Sequence, residues 1–380
     1  MKSVGAALLA GCCVTSGATA QTVSWDAALV VDVATNASGG LEQGRSVLFK
    51  AHGGVTVDAE QLWGLSDLTI RGAAWASGGE TFSDRYVGDW QTVSNIEAVD
   101  TARVAELWLE WAPSSSRFKL GVIDLNSEFD VNGAAAIFTN SAHGIGSEFS
   151  QIGLNGPSIY LVTGWGALAE TTFDPGVIVA FGFFDGAQGD IDEPERALLD
   201  LSGDSTLAVG EVRVQEPMRI TVGAWRHDGA LSEMRHPALA EGAAAGAYAI
   251  AQTQIYRSDT AEWTAFARFG FAQPDRVVLA GYAGIGVRRD GYVFGLGGDE
   301  SLGFAVAYAS ASGHWRESER MLGNATERAE TAFEITYRVQ ATPNFAMQPS
   351  LHYIAAPSAS ARLDDALVIG VRFEAAVQSP

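Results

Sequence analysis

Residues Arg328–Gln340 read RAETAFEITYRVQ, and from Phe333 onward each apolar side chain is followed by a polar one. Successive side chains of a β-strand point to opposite faces, so this period gives a strand with one apolar and one polar face. A similar alternation recurs in Leu107–Trp111 and in Leu367–Glu374. Because the period is two rather than the 3.6 of a helix, the sequence predicts an all-β protein.

Sixteen runs of this kind follow one another along the chain, at 24–35, 46–59, 67–78, 102–112, 116–125, 158–173, 176–185, 205–215, 218–228, 246–257, 261–273, 278–289, 301–312, 328–340, 344–355 and 364–377. Short connections that contain Pro, Gly, Asn or Asp, the residues of tight turns, mostly alternate with long ones. Two connections depart from this order, because 274–277 is short and 290–300 is longer than a tight turn.

The direction of the apolar faces separates two all-β architectures. A soluble sandwich packs its apolar faces together, whereas a membrane barrel turns them to lipid and keeps its polar faces inside. An even number of strands, with turns at one end and loops at the other, is typical of outer-membrane barrels. We therefore predict that residues 21–380 form one domain, a 16-stranded antiparallel transmembrane β-barrel of the bacterial outer membrane with short periplasmic turns and long extracellular loops.

The first twenty residues, 1–20, predict a signal peptide rather than a part of the barrel. Lys2 precedes an apolar stretch, and Ala18–Ala20 forms an A-x-A cleavage site. The alternative is a lipobox at Leu9–Cys12, in which Cys12 would be lipidated. Both cysteines of the chain lie in this segment, so a chain cleaved at the A-x-A site has no disulfide and no cysteine ligand for a metal.

Charge and composition exclude several kinds of partner. The net charge is −21 at pH 7, which excludes the basic surface with which proteins bind nucleic acid. The barrel sequence contains no run of about 18 apolar residues, so a transmembrane helix is excluded. The six histidines show no metal-ligand spacing, so no metal is expected.

The loop after the fifth run, about 126–157, has no strand or helix period but keeps several apolar residues. A loop this long inside a compact fold is usually functional, and we predict that it folds into the bore as a constriction loop.

The chain also contains ELWLE at 106–110, LGVIDLNSEFD at 120–130 and DALVIG at 365–370. With further short matches across 100–377, these stretches resemble the carbohydrate-selective outer-membrane porin family (OprB-like). The resemblance implies passive diffusion of small sugars, with no enzyme activity and no cofactor. It implies outer-membrane lipid around the barrel and leaves a homotrimer open. One departure is the last strand, which ends at Val377, where family members tend to have an aromatic residue.

A pore that favours neutral sugars needs hydrogen-bonding groups at its constriction and few unpaired charges of one sign. The candidates from the loop and its start are Asp124, Asn126, Glu128, Asp130 and Asn140, and the candidate cations are Arg117, Lys119, Arg338 and Arg372. Further inner-face arginines, and loop aromatics that could stack on sugar rings, are Arg213, Arg219, Arg268, Phe129, Phe138 and Phe149. Each group has a structural alternative. The carboxylates could anchor the loop to wall arginines, the phenylalanines could form its core, and the arginine rows could be structural filling of the lumen.

Three other functions stay open at this point. A general or cation-preferring porin would fit the acidic balance of the chain. An outer-membrane lipid hydrolase would need a Ser-His pair at the outer barrel surface, and no convincing pair or G-x-S-x-G motif is found. A structural barrel would have a plugged lumen.

Overall fold

The alternating runs form one closed barrel in the computed structural model, which describes residues 22–379 except 80, 154–155, 175, 188–204, 217, 236–240 and 297–298. The strands among these residues are β1 (Val23–Gly40), β2 (Gly44–Asp58), β3 (Leu68–Gly78), β4 (Thr101–Trp111), β5 (Ser116–Ile123), β6 (Gly164–Asp174), β7 (Val177–Asp185), β8 (Thr206–Val214), β9 (Arg219–Ser232), β10 (Glu241–Arg257), β11 (Ala261–Ala272), β12 (Leu279–Gly291), β13 (Glu300–Ala311), β14 (Ala329–Thr342), β15 (Phe345–Ala355) and β16 (Asp364–Gln378).

Short helices lie in the connections. They are α1 (Ala59–Trp63), α2 (Ser147–Ser150) and α3 (Gly313–Met321), one π turn (Ser83–Val87) and 3-10 turns at Leu125–Ser127, Gly133–Ala135, Ser141–His143 and Pro357–Ala359. Among the described residues, no helix combines the length and apolarity needed to cross a membrane. The predicted signal peptide and the alternative lipobox at Cys12 lie outside the described residues.

Each strand pairs antiparallel with its neighbours in sequence, and β1 pairs with β16 to close the barrel. This closing pair runs from Asp26 opposite Gln378 to Gly40 opposite Asp364. Every strand therefore has two partners, which satisfies the backbone groups that would cost several kcal/mol each if left unpaired in hydrocarbon. The predicted 16-stranded antiparallel barrel is confirmed.

The apolar faces of the strands point away from the bore. On β4, Leu107, Leu109 and Trp111 are 49%, 47% and 50% exposed. On β14, Glu334 and Thr336 point inward and are 1% and 0% exposed. Exposed apolar residues on the outside of a closed barrel meet lipid, so the faces have the direction expected of a membrane barrel and not of a sandwich.

The two ends of the barrel differ in their connections. Strand β1 begins and strand β16 ends at the end of the barrel with the shorter connections, which we call the turn end, and the opposite end is the loop end. The connections 79–100, 124–163 and 312–328 are at the loop end. The loop end also holds two short connections, 41–43 and 273–278. In the first, Asn36 Nδ2 donates to the carbonyl of Glu42 (2.9 Å).

The start of β6 was predicted wrongly at 158, because the strand begins at Gly164. Side chains hold the residues before it out of the sheet. Arg103 Nη2 on β4 donates to the carbonyl of Thr163 (2.6 Å), and Ser158 Oγ donates to the carbonyl of Ile123 (2.6 Å). The connection after β5 is therefore longer than the predicted 126–157 and runs through residues 124–163.

Candidate functional site

The connection between β5 and β6, residues 124–163, enters the bore, and we call it the inward loop. Its backbone is bonded to side chains that point inward from the far side of the barrel. The amides of Thr139 and Asn140 donate to the carboxylate of Glu334 on β14 (2.8 and 3.0 Å). Gln348 on β15 donates to a carbonyl of the loop (2.6 Å). These bonds satisfy backbone groups away from water and fix the loop against the wall.

A buried ion triad provides the most extensive anchor of the inward loop. Arg268, on the inner face of β11, donates through Nε and Nη2 to the carboxylate of Asp130 (2.8 and 2.7 Å). Its Nη1 and Nη2 also donate to the carboxylate of Glu148 (3.0 and 2.8 Å). The guanidinium lies near the rings of Tyr248 and Tyr282, with centroids 5.3 and 5.1 Å away. Paired, bidentate contacts of this kind are strong and geometrically specific.

Glu128 ties the beginning of the inward loop to the neighbouring wall. Its carboxylate accepts hydrogen bonds from Lys119 Nζ (2.5 Å) and Arg117 Nη2 (2.7 Å), both on β5. Its backbone carbonyl accepts from Arg213 on β8. Burial raises the pKa of Glu128, but the two cations on β5 outweigh burial and keep that pKa below its ordinary value. The structure thus brings three of the predicted constriction residues into one ion cluster.

Further ions on the strands extend this cluster along the inner wall, and we call the whole set, which includes Glu128 of the inward loop, the charged band. Its members are Asp26, Arg71, Glu106, Glu110, Arg117, Lys119, Glu128, Glu170, Glu211 and Arg213. Arg71 bridges Asp26 and Glu106 (2.8 and 2.9 Å), and Glu170 bridges two arginines (3.1 and 2.7 Å). Most members are partly exposed, so the band presents alternating charges to the bore.

Three predicted constriction residues stabilise turns of the inward loop. Asp124 accepts from the amide of Asn126 (2.9 Å) and caps the turn that follows it. Asn126 Nδ2 donates to three loop carbonyls, including that of Gly144 (3.2 Å). Asn140 Oδ1 accepts from the amide of Ala142 (3.0 Å). Asp124 and Asn140 are buried, whereas Asn126 is only half-buried.

Phe129, Phe138 and Phe149 are buried in the packing between the inward loop and the wall. The ring of Phe149 stacks on Trp225 of β9 at 5.4 Å between centroids, and Phe129 packs edge-to-face on Phe184 of β7 at 6.1 Å. Aromatic pairs of this geometry add to the free energy of burying the rings. The three rings are enclosed, so none presents an open face to a sugar in this structure.

A second connection, residues 79–100 between β3 and β4, also packs inside the barrel, which the sequence analysis did not predict. Ser94 Oγ donates to Asp32 on β1 (2.6 Å). Arg372 on β16 donates to the same carboxylate (2.7 and 2.8 Å) and to Asn95 Oδ1 (2.8 Å). Arg372 therefore holds this second loop. The polar inner positions of β1 and β16 were the available signal, but they do not say which loop meets them.

The remaining predicted arginines lie in different places. Arg338 pairs with Glu374 of β16 (2.8 Å) towards the turn end, and no contact of it with the inward loop is seen in the described part of the chain. Arg219 is exposed at the start of β9 and lies near Gly133 of the inward loop. A Cβ atom built on Gly133 would be 4.0 Å from Nη1 of Arg219. Within the described residues, no group of three His, Asp or Glu is suited to a metal ion.

The connection 79–100 carries buried carboxylates that make its docking dependent on pH. Glu97 accepts hydrogen bonds from the amides of Phe82 and Ser83 (2.7 and 2.8 Å). Burial raises the pKa of Glu97 to about 7, and burial raises that of Asp89 to about 6. Because these values lie above those of the unfolded chain, docking binds protons, and the docked loop loses stability as pH rises through about 4 to 7.

We expect amide hydrogen exchange in residues 81–99 to be faster at pH 8 than at pH 5 after correction for intrinsic rates. Each titrating group contributes at most about 1.4 kcal/mol per pH unit within its window. Glu97→Gln removes one of these groups and is expected to flatten the dependence. Glu327→Gln, an exposed carboxylate in another loop, serves as the control. Identical profiles for wild type and Glu97→Gln would contradict the expectation.

A closed membrane barrel whose bore is crossed by a loop bonded to its inner wall defines a protein of the porin class. Residues 50–376 match the family described as carbohydrate-selective porin, OprB family, and the chain belongs to that family. It is accordingly an outer-membrane sugar porin of bacteria.

Solved structures share this fold at low sequence identity. The high-pH structure of Pseudomonas putida OprB has a TM-score of 0.83 and 17% identity, over 94% of this chain and 94% of that one. The low-pH structure of the same protein has a TM-score of 0.56 and 14% identity, over 94% and 93%. A loop L8 deletion mutant of Vibrio cholerae OmpT has a TM-score of 0.54 and 10% identity, over 94% and 99%. No curated protein sequence matches the chain.

Proposed function

We propose that small sugars diffuse passively through the part of the bore that the inward loop leaves open, past the partly exposed ions of the charged band, and that the loop and the band set the carbohydrate preference. The observation that carries the proposal is the charge state of the loop surface. Three of the four loop carboxylates, Glu128, Asp130 and Glu148, are paired with wall cations, and the fourth, Asp124, is buried and caps a turn. The loop side chains that stay exposed or half-buried include the uncharged groups of Asn126, Ser127, Ser141, Ser150 and Gln151.

Such a pair of surfaces suits a neutral, hydroxyl-rich solute. Each sugar hydroxyl both donates and accepts a hydrogen bond, and carboxylate–arginine pairs place acceptors and donors side by side on the band. Hydroxyl and amide groups on the loop complete the hydrogen bonds that a sugar gives up when it leaves water. Selectivity of this kind arises from pore diameter and lining groups, and it requires no chemical step and no cofactor.

A cation-preferring porin is the second candidate, because the charged band itself is not neutral. Its members are six carboxylates and four cations. The net negative field would raise the local concentration of cations in the bore. Zero-current potentials across a KCl gradient in planar bilayers measure this preference directly.

Liposome swelling tests the proposed function. We expect fast swelling with a monosaccharide, slower swelling with a disaccharide and little with a trisaccharide. A zwitterionic amino acid similar in size to the monosaccharide is expected to enter more slowly than the sugar, because it cannot use the same hydrogen bonds. Equal rates for sugar and amino acid, together with a strong cation preference in bilayers, would favour the second candidate.

The partners in this proposal are small sugars and the lipid of the outer membrane. We propose that the protein assembles as a homotrimer. Its fold is similar to that of Vibrio cholerae OmpT, one structure of which is described as a trimer form. Chemical crosslinking in outer-membrane fragments measures the number of subunits.

A further inference from the structure

Residues 292–296, in the connection between β12 and β13, fold outward over the barrel wall at the turn end. Glu300 of β13 shares its face with Phe304, which is 45% exposed and faces away from the bore. By this parity Glu300 and its partner Val339 on β14 also point outward. Both are nevertheless buried, at 2% and 5% exposure, next to the segment 292–296.

Glu300 organises the turn that covers it. Its carboxylate accepts hydrogen bonds from the amides of Val293 (2.8 Å), Phe294 (2.6 Å), Gly295 (3.3 Å) and Leu296 (2.7 Å). A bare carboxylate on the outer wall of a membrane barrel is destabilising. The four amides neutralise this cost by satisfying both oxygens, and they hold the turn in one conformation against the wall.

The surface that this turn presents is apolar. Tyr292, Phe294 and Leu296 are 67%, 63% and 67% exposed. The Phe294 ring also packs edge-to-face on Tyr337 of the outer wall, with centroids 4.9 Å apart. The apolar surface is therefore continuous with the lipid-facing side of β14. Of the other described turns at this end, those at 113–115, 258–260 and 342–344 carry only Pro, Ser, Asp, Thr and Asn, whereas the connection 59–67 also exposes apolar side chains, at Leu62, Trp63 and Leu65.

We propose that residues 292–296 form an interfacial anchor that inserts into the leaflet at the turn end, with a phospholipid surface as its partner. Tyr side chains favour the boundary between headgroups and acyl chains, and exposed Phe and Leu side chains of an interfacial segment bury themselves against the acyl chains. The anchor widens the established lipid-facing surface of the barrel at the turn end, next to Tyr337 on the outer face of β14. A turn fixed by Glu300 inserts without losing the conformational freedom that a flexible turn would lose.

Spin labels at single cysteines test the depth of the turn. The only cysteines of the chain are Cys12 and Cys13, so Cys12→Ala and Cys13→Ala give a cysteine-free background in the full-length protein. The test positions are Phe294→Cys and Leu296→Cys, the water reference is Ser115→Cys in the β4–β5 turn, and the lipid reference is Ile335→Cys on the outer face of β14. Collisions with oxygen and with a water-soluble nickel chelate are measured in phosphatidylcholine vesicles.

The proposal expects labels at 294 and 296 to lose collisions with nickel and to keep collisions with oxygen, as the label at 335 does. Adding Glu300→Ala to Leu296→Cys is expected to restore nickel collisions, because the turn then loses its four amide bonds. Nickel collisions at 294 and 296 equal to those at 115 would overturn the proposal, since the turn would lie in water. Protection from both reagents would also overturn it and would indicate a second copy of the chain as the partner.

Discussion

Arg268→Met is expected to release the inward loop from the far wall and to raise disaccharide permeation by about tenfold, at little cost to monosaccharide entry. The substitution leaves the carboxylates of Asp130 and Glu148 buried together without their shared cation. Removing one partner of a buried ion pair costs about 3–5 kcal/mol, which is enough to shift a docked loop towards undocked states. Liposome swelling with a graded series of sugars measures the effect.

Arg338→Met is the matched control, because it removes an arginine from the same inner surface but from a half-buried pair with Glu374. We expect its sugar profile to stay close to that of the wild type. The shift of the folded barrel on unheated gels shows whether each variant has formed its strands. A folded Arg268→Met variant with an unchanged size limit would mean that the remaining bonds to Glu334 and Gln348 suffice to hold the loop.

Glu128→Gln is expected to move the ion preference of the channel towards anions and to change its single-channel conductance. Glutamine keeps the shape of the side chain but removes the charge that faces Lys119 and Arg117. Loss of one charge from such a pair costs up to about 2–5 kcal/mol, and much of this cost arises because the partner charges are left uncompensated. The zero-current potential across a salt gradient is the measurement.

Glu374→Gln provides the control for this second variant, since Glu374 pairs with Arg338 outside the charged band. Both variants lose one negative charge, so a difference between them reports position rather than net charge. A Glu128→Gln channel with the wild-type potential and conductance would remove Glu128 from the part of the bore that limits flow.

Much of the barrel was predictable from local pattern. The alternation in Phe333–Gln340 places Glu334 and Arg338 on the polar face and Ile335 on the apolar one, and the structure has this arrangement. A period of two fixes which side chains share a face, and a strand count with alternating connections selects a barrel over a sandwich. The alternation also places Val339 on the outer, apolar face, as the structure does. The turn that covers Val339 has no periodic pattern from which it could be predicted.

The partners of the inner-face charges were not predictable in the same way. Asp130 meets Arg268 across 138 positions of sequence. Such a contact depends on strand register and on the path of a loop without periodic structure, and neither can be predicted from the residue types nearby in sequence. For the same reason Arg372 was predicted to line the constriction, whereas in the structure it donates a hydrogen bond to Asn95 of the connection 79–100.

The seam between β1 and β16 has a consequence for how this protein comes into being. Strands β1 and β16 are separated by nearly the whole length of the chain. The strand pairing with the largest sequence separation is therefore also the one that closes the sheet into a barrel. Contacts of such long range form slowly. Until β16 pairs with β1, the backbone amides and carbonyls along one edge of each strand have no hydrogen-bond partner. These two edges must be kept out of lipid while the barrel is inserted. Channel activity therefore begins only with the final strand, and deletion of β16 is expected to abolish it altogether rather than reduce it in proportion.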